Sequence, residues 1–234
     1  MTRPTLIACS HGTASEDGRR AIEGLVGHVR AILPDVRVEQ AFVDVQTPKI
    51  ADVVARVAAA EAAVVVPLLL STGYHTRVDI ARAVEPFPHV VAAPALGPHD
   101  LLALVLEDRL IEAGLRSEDA IVLAAAGSSD PAAEADVRRM ALRMGDLLHG
   151  SVSVGFAAGA EPRIDEAVAQ ARRAGARRVI AASYVLAPGH FASVIAGSGA
   201  DVVTAPLAPD LRIAGVVAER YVNACAELAT AVGG

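Results

Sequence analysis

The sequence predicts an α/β fold of two tandem lobes, each a four-stranded parallel sheet with helices on both faces. Three observations predict it. Short apolar runs alternate with amphipathic helical patterns eight times along 234 residues. Several runs are near-continuously apolar, as in Ala62–Leu70, which marks strands buried on both faces of a parallel sheet. The second half of the chain repeats the first. An offset of 115 lays Leu6–Thr13 over Ile121–Ser128 and His75 over His190; an offset of 114 lays Phe42, Pro48 and Ile50 over Phe156, Pro162 and Ile164.

In chain order, strands are expected at 5–9, 36–43, 62–69 and 89–93, then at 120–126, 151–156, 178–185 and 201–204. Helices are expected at 16–32, 47–60, 76–84 and 99–113, then at 131–147, 161–174, 190–197 and 208–229. The lobes are expected to comprise residues 1–115 and 116–234, joined near Leu115–Asp119, with a ligand cleft between them.

Composition narrows the function. The chain is 53% hydrophobic, enough for a sizeable core, yet no segment approaches the ~18–20 apolar residues of a membrane span. The first residues run straight into a strand pattern without a signal-peptide layout, so a cytoplasmic location is expected. A net charge of −6 argues against a nucleic-acid partner, which needs a basic face. Cys9 and Cys225 have no metal-binding spacing and read as reduced structural thiols; they cannot supply the four thiolates of an iron–sulfur cluster.

The stretch with chemistry in it is Ser10-His11-Gly12-Thr13, where the first strand meets a glycine turn and a helix start. Ligands of open α/β sheets bind at such carboxyl ends. Asp44 follows the second strand pattern and His75 the third. If those strands are parallel neighbours ~4.8 Å apart, two imidazoles and a carboxylate converge at one edge. That donor set suits Fe²⁺, Co²⁺, Ni²⁺ or Zn²⁺. Each residue also has a plainer reading: His11 as a turn residue capping the next helix, Asp44 as a loop acid or helix cap, His75 as a helix-start residue held by a carbonyl. In the second lobe Ala126 and Ala158 stand where the first has His11 and Asp44, and only His190 persists, as a structural or substrate contact.

The strand end Leu6–Thr13, the segment Ala41–Pro48 and the run Val66–His75 together resemble the sirohydrochlorin chelatases of the CbiX and SirB type, the class II chelatases. The resemblance covers essentially the whole chain, because the long members are tandem repeats with a degenerate second lobe. It implies two flavodoxin-like lobes facing across a cleft, and insertion of Fe²⁺ or Co²⁺ into sirohydrochlorin towards siroheme or cobalamin. The metal is then a substrate and no tightly bound cofactor is expected. The resemblance assigns metal handling and catalysis to His11 and His75. Asp44 stands where many members have Glu, which retracts the carboxylate by one methylene. Ser10, Gly12, Tyr74, Arg77 and His190 are candidate substrate contacts. Arg19, Arg20 and Lys49 are further candidates for the substrate's carboxylates, each equally readable as a solvated surface charge; Phe191 is a candidate for packing on the macrocycle. Because the second lobe supplies the facing half, a monomer is expected.

Two competing readings remain. A bilobed tetrapyrrole or metal carrier would need the same fold. A histidine phosphatase also places His before Gly at a strand end, but Ser10 stands here in place of the phosphate-holding arginine.

Overall fold

The computed structural model describes residues 3–73 and 75–232, without the side chains of 75–77, 231 and 232. All eight expected strands are present. The first four, β1 (Thr5–Ser10), β2 (Val38–Phe42), β3 (Ala63–Pro67) and β4 (Val90–Ala92), form one sheet in the order β2-β1-β3-β4. The last four, β5 (Ala120–Ala125), β6 (Val152–Phe156), β7 (Val179–Tyr184) and β8 (Val202–Val203), form a second in the order β6-β5-β7-β8. Every pairing is parallel. β1 therefore lies between β2 and β3, and the ends that precede His11, Asp44 and His75 are neighbours.

The helices are α1 (Glu16–Ile32), α2 (Ile50–Ala58), α3 (Ala81–Val84), α4 (Asp100–Glu112), α5 (Pro131–Leu148), α6 (Ile164–Arg173), α7 (His190–Ala196) and α8 (Leu211–Val232). The helix expected at 76–84 divides: His75–Ile80 is a π-helical turn that runs into α3. Most strands end a residue or two short of the apolar runs that predict them, as where the β3 run continues into the buried loop residue Leu68; β1 ends one residue beyond its run and β6 ends with it.

The repeat is carried at the level of single side chains. The buried stripe of α1 (Gly18, Ala21, Ile22, Leu25, Val26, Val29) lies 115 residues before that of α5 (Ala133, Asp136, Val137, Met140, Ala141, Met144). Bridges Phe42–Lys49 and Phe156–Arg163 repeat at an offset of 114. One equivalence shifts. Thr5 pairs with Ala63 and Ala120 with Val179, so β3 and β7 are offset by 116, and Gly73 answers to Gly189. The helix starts, His75 and His190, remain 115 apart, so the loop of the first lobe is one residue longer.

Each sheet is covered on its outer face by its own helices. Ile50, Val53, Val54 and Val57 of α2 pack on Ile7 and Val65, and Ile164 and Val168 of α6 pack on Val122 and Ala181. On the inner faces the lobes exchange a helix. The C-terminal α8 packs against α1, β3 and β4, whereas α4 packs against α5 and β7. Tyr221 of α8 donates to Pro4 O at 2.6 Å, and Arg220 donates to Ala95 O and Leu96 O at 3.1 and 3.2 Å. One apolar core thus runs from Leu6 and Val64 through Leu106 and Val217 to Leu123 and Ala182. Burial of this common core fixes the two sheets relative to each other and leaves a cleft at their carboxyl edges.

Candidate active site

The cleft has a volume of about 920 Å³ and is walled by both lobes. Its floor is pseudo-symmetric: Ile22 of α1 and the equivalent Val137 of α5 both face it. The first lobe contributes the turn Ser10–Ser15, Val45 and Gln46 after β2, and the β3 loop around Leu68–Ser71. The second contributes Ala125–Ser129, the β7 loop Tyr184–Gly189, and His190, Phe191 and Ser193 of α7.

His11 stands at the end of β1, as the sequence pattern predicts, and lines the cleft half-buried. The turn that aims it depends on Gly12, whose φ is +94°, a conformation glycine adopts without cost. The helix that follows is capped by Ser15, whose Oγ accepts from Gly18 N at 3.2 Å, so His11 is not needed as a cap. His11 Nδ1 lies 3.3 Å from Gly12 O. In the tautomer with the proton on Nδ1, that nitrogen donates to Gly12 O and Nε2 is an acceptor. The ring meets Phe191 edge-on, centroids 6.4 Å apart, and Phe191 in turn meets His190 at 5.4 Å. His190, exposed at the start of α7, is thus on the same wall as the ring that faces His11.

Asp44 is tied to the site by its backbone. Its N–H donates to His11 O at 3.0 Å. Its carboxylate is exposed, 66% by side chain, 3.9 Å from Lys49 Nζ, and is not part of the cleft wall. The same loop instead turns Val45 and Gln46 inward, and Gln46 Oε1 accepts from Thr13 N at 2.9 Å. Nor does Asp44 cap α2, whose N-cap is Lys49. Among the described residues no three His, Cys, Asp or Glu side chains are grouped to hold a metal. His75 is the first residue of the π-helical turn. Its side chain, that of Arg77, and Tyr74 as a whole lie outside the described residues.

Ser10 and Gly12 both line the cleft. Ser10 is 4% exposed and its carbonyl accepts from Val43 N at 3.0 Å, so it also holds the β2 end against β1. Lys49, Arg19 and Arg20 lie outside the cleft; Arg20 is paired with Asp17 at 3.0 Å and with Glu16 on the exposed face of α1. Among the described residues no lysine or arginine lines the cavity. Beside His11, His190 and Gln46, its polar lining is hydroxyls and turn amides: Thr13, Ser15 and Ser71 on one side, Ser128, Ser129 and Ser193 on the other. Cys9 faces the outer core behind β1, where burial, reinforced by the Asp79 carboxylate, pushes its thiol up to about 12. Fully buried and held as the neutral thiol, it is placed as a packing residue.

The second lobe keeps the same backbone without the chemistry. Ala158 N donates to Ala126 O at 2.8 Å, the counterpart of the Asp44–His11 bond. Gly127, φ +84°, repeats Gly12. The sequence pattern left two cleft contacts unassigned. Gln46 stands in an otherwise ordinary loop, and the Thr13–Pro188 approach across the lobes, 3.5 Å, has no local signal. Gly18 has a helix-interior appearance, yet a Cβ there would sit 2.2 Å from Pro188 O.

Paired four-stranded parallel sheets, a shared core and a cleft with one histidine-bearing strand end define a bilobed α/β protein with a duplicated architecture. The chain belongs to the CbiX family, whose model matches twice, over residues 5–113 and 120–224. It is 27% identical over 168 residues, 66% of this chain and 55% of the relative, to a sirohydrochlorin cobaltochelatase of Priestia megaterium. It is 31% identical over 134 residues, 53% of this chain and 50% of the relative, to a sirohydrochlorin ferrochelatase of the same organism. The chain therefore spans about half the length of the curated relatives it matches. The fold matches SirB from Bacillus subtilis with Fe³⁺, at a TM-score of 0.80, 19% identity and 96% of both chains. It also matches CbiX, described as the terminal enzyme of siroheme biosynthesis in denitrifying bacteria, at 0.65, 18% identity, 94% of this chain and 98% of that one.

Proposed function

We propose that the protein is a sirohydrochlorin chelatase that inserts Fe²⁺ or Co²⁺ into the macrocycle in the cleft between its lobes. The observation that carries this reading is His11, half-buried in a large cleft at the end of β1, with Ala126 at the same place in the second lobe. The family match over both halves, and the names of the relatives, supply the substrate class.

Metal insertion replaces two pyrrole N–H protons with one divalent ion. The enzyme must present the ion with part of its water shed and must take up protons. In this reading His11 offers Nε2 for either task, its ring oriented by Gly12 O. His75, at the end of the adjacent strand and at the start of a π-helical turn, is the second metal-handling residue. Such turns recur at functional sites. Asp44 assists through the backbone bond to His11 and through its charge, which Lys49 partly offsets. The apolar residues Ile22, Val137 and Leu186 and the ring of Phe191 suit the faces of a macrocycle. Its carboxylates would be held by the hydroxyls, by turn amides, by Ser10 and Gly12, and by Tyr74, Arg77 and His190. Residues 1–115 carry the reacting groups and 116–234 the facing wall, so the protein works as a monomer, in the cytoplasm and without nucleic acid. No helix among the described residues is long and apolar enough to cross a membrane.

The test is an anaerobic assay with sirohydrochlorin in large excess over protein and either Co²⁺ or Fe²⁺, followed by the visible bands. Insertion of many equivalents per chain, above the protein-free rate, is expected. A reaction that stops at one equivalent would replace the enzyme with a carrier.

A further inference from the structure

Two buried polar side chains of the second lobe break the repeat, and both bond to the same segment of the first. Asp136, on the inner stripe of α5, is 4% exposed, and its Oδ2 accepts from Thr72 N at 2.7 Å. Tyr184, the last residue of β7, is 2% exposed and donates to Leu70 O at 3.0 Å. Leu70 and Thr72 belong to the loop that leaves β3 and enters the π-helical turn at His75, three residues beyond Thr72. The second lobe thus holds two alternate peptide units of the loop that carries a candidate metal-handling residue.

The pseudo-symmetric positions make the case. Asp136 answers to Ala21 on α1, and the loop facing Ala21's helix has Pro188 at the position of Thr72. Proline has no N–H to satisfy. The acidic side chain is present where a donor faces it and absent where none does. Tyr184 answers to Leu68, which has no hydroxyl. Room for the phenol comes from Gly97, where a Cβ would lie 2.1 Å from Tyr184 Oη and 2.5 Å from Leu70 O. The position answering to Gly97 is Ala208, since Leu96 N bonds Leu69 O as Leu207 N bonds Val185 O. Both changes therefore come as matched pairs, and both serve the first lobe's loop. Asp136 is also paired with Arg139, which is 60% exposed, and a pair so open to water is a weak reason to keep a buried acid.

We propose that Asp136 and Tyr184 are positioning residues: from the degenerate lobe they fix the Leu70–Thr72 backbone, and with it the start of the π-helical turn at His75. This rests on the reading of His75 as a metal-handling residue. The test is anaerobic Co²⁺ titration of the intact chain, with thermal unfolding alongside, for Asp136→Ala, Asp136→Asn and Tyr184→Phe, each with and without His75→Ala. Loss of an outer-shell partner commonly costs 10–100-fold in metal affinity, so Asp136→Ala should weaken Co²⁺ binding about tenfold or more, with Asn, which still accepts from Thr72 N, recovering most of it. Tyr184→Phe removes only the hydroxyl and should weaken binding while leaving the fold intact; it carries the test if Asp136→Ala does not fold. In the His75→Ala background the same changes should have less than about a twofold effect, the mark of coupled residues. Equal losses in both backgrounds, unchanged affinity, or no recovery by Asn would overturn the positioning role alone. Wild-type Co²⁺ affinity in His75→Ala would overturn the underlying reading and this proposal with it.

Discussion

The two lobes share a strand order, a buried helix stripe spaced 115 residues apart and a glycine turn at the first strand end. They differ in what the turn displays. In the first lobe it displays His11; in the second it displays Ala126, although the backbone bond behind each residue is the same. The difference teaches that the fold does not need the histidine. A residue that the architecture can do without, kept half-buried in the cleft of one copy, is better explained by chemistry than by packing. The converse holds for Asp136 and Tyr184, which the architecture of the first copy also does without, and which the second copy directs at its neighbour.

The comparison can be broken most directly at the turn itself. His11→Ala should lower the chelation rate by about 100-fold or more, the usual range for a lost proton-transfer group, with little change in thermal stability. Ala126→Ser should leave the rate unchanged. Equal rates for wild type and His11→Ala would remove the functional asymmetry between the lobes.

A second contrast tests the shared backbone. A Cβ on Gly127 would lie 1.8 Å from Ala158 O, whereas on Gly12 the nearest atom is Gln46 N at 3.1 Å. Both residues have positive φ. Gly127→Ala should therefore cost about 2–4 kcal/mol in denaturant unfolding, and Gly12→Ala about 1–2 kcal/mol. Gly12→Ala should also slow chelation, because it re-aims His11; Gly127→Ala should not do so in the fraction that remains folded.

The fold was legible in the sequence because its signals are local and repeated. Apolar runs such as Ala62–Leu70 are the pattern of doubly buried strands, and the repeat pairs the lobes position by position. His11 was legible for the same reason: it sits where a strand pattern stops and a glycine follows. The exchange of α4 and α8 between sheets was not, since their apolar stripes do not say which sheet they cover. Nor was the outward turn of Asp44. A strand-end acid predicts a cleft residue, and only the tertiary fold shows Val45 and Gln46 turned in and Lys49 beside the carboxylate. The one-residue difference between the loops after β3 and β7 also escapes a 115-residue offset, because strand register, not sequence similarity, fixes it. Asp136 did leave a trace: it is an acid in an otherwise apolar stripe, at a position where the repeat has Ala21.

A smaller asymmetry concerns pH. Cys9 of β1 answers to Ala124 of β5. Burial, then the Asp79 carboxylate, raises the Cys9 thiol from 9.0 to about 12. The native state thus prefers the neutral thiol. The stability this contributes is full below pH 9.0 and is lost as the pH rises towards 12, while the unfolded chain ionises. Cys9→Ala should flatten the fall of unfolding midpoint over that interval, and the native thiol should resist alkylation at pH 7. The smallest effect is expected at Arg20, paired with Glu16 and Asp17 on the exposed face of α1. Arg20→Ala should shift stability by less than about 0.5 kcal/mol and leave chelation unchanged.

The central claim is that a duplicated fold holds one working metal site. The most direct measurement is the stoichiometry of Co²⁺ binding, by anaerobic titration of the whole chain followed through the ion's visible absorption. The account predicts one equivalent per chain with imidazole-like bands, abolished in His11→Ala. Two equivalents, or one that survives His11→Ala, would contradict it.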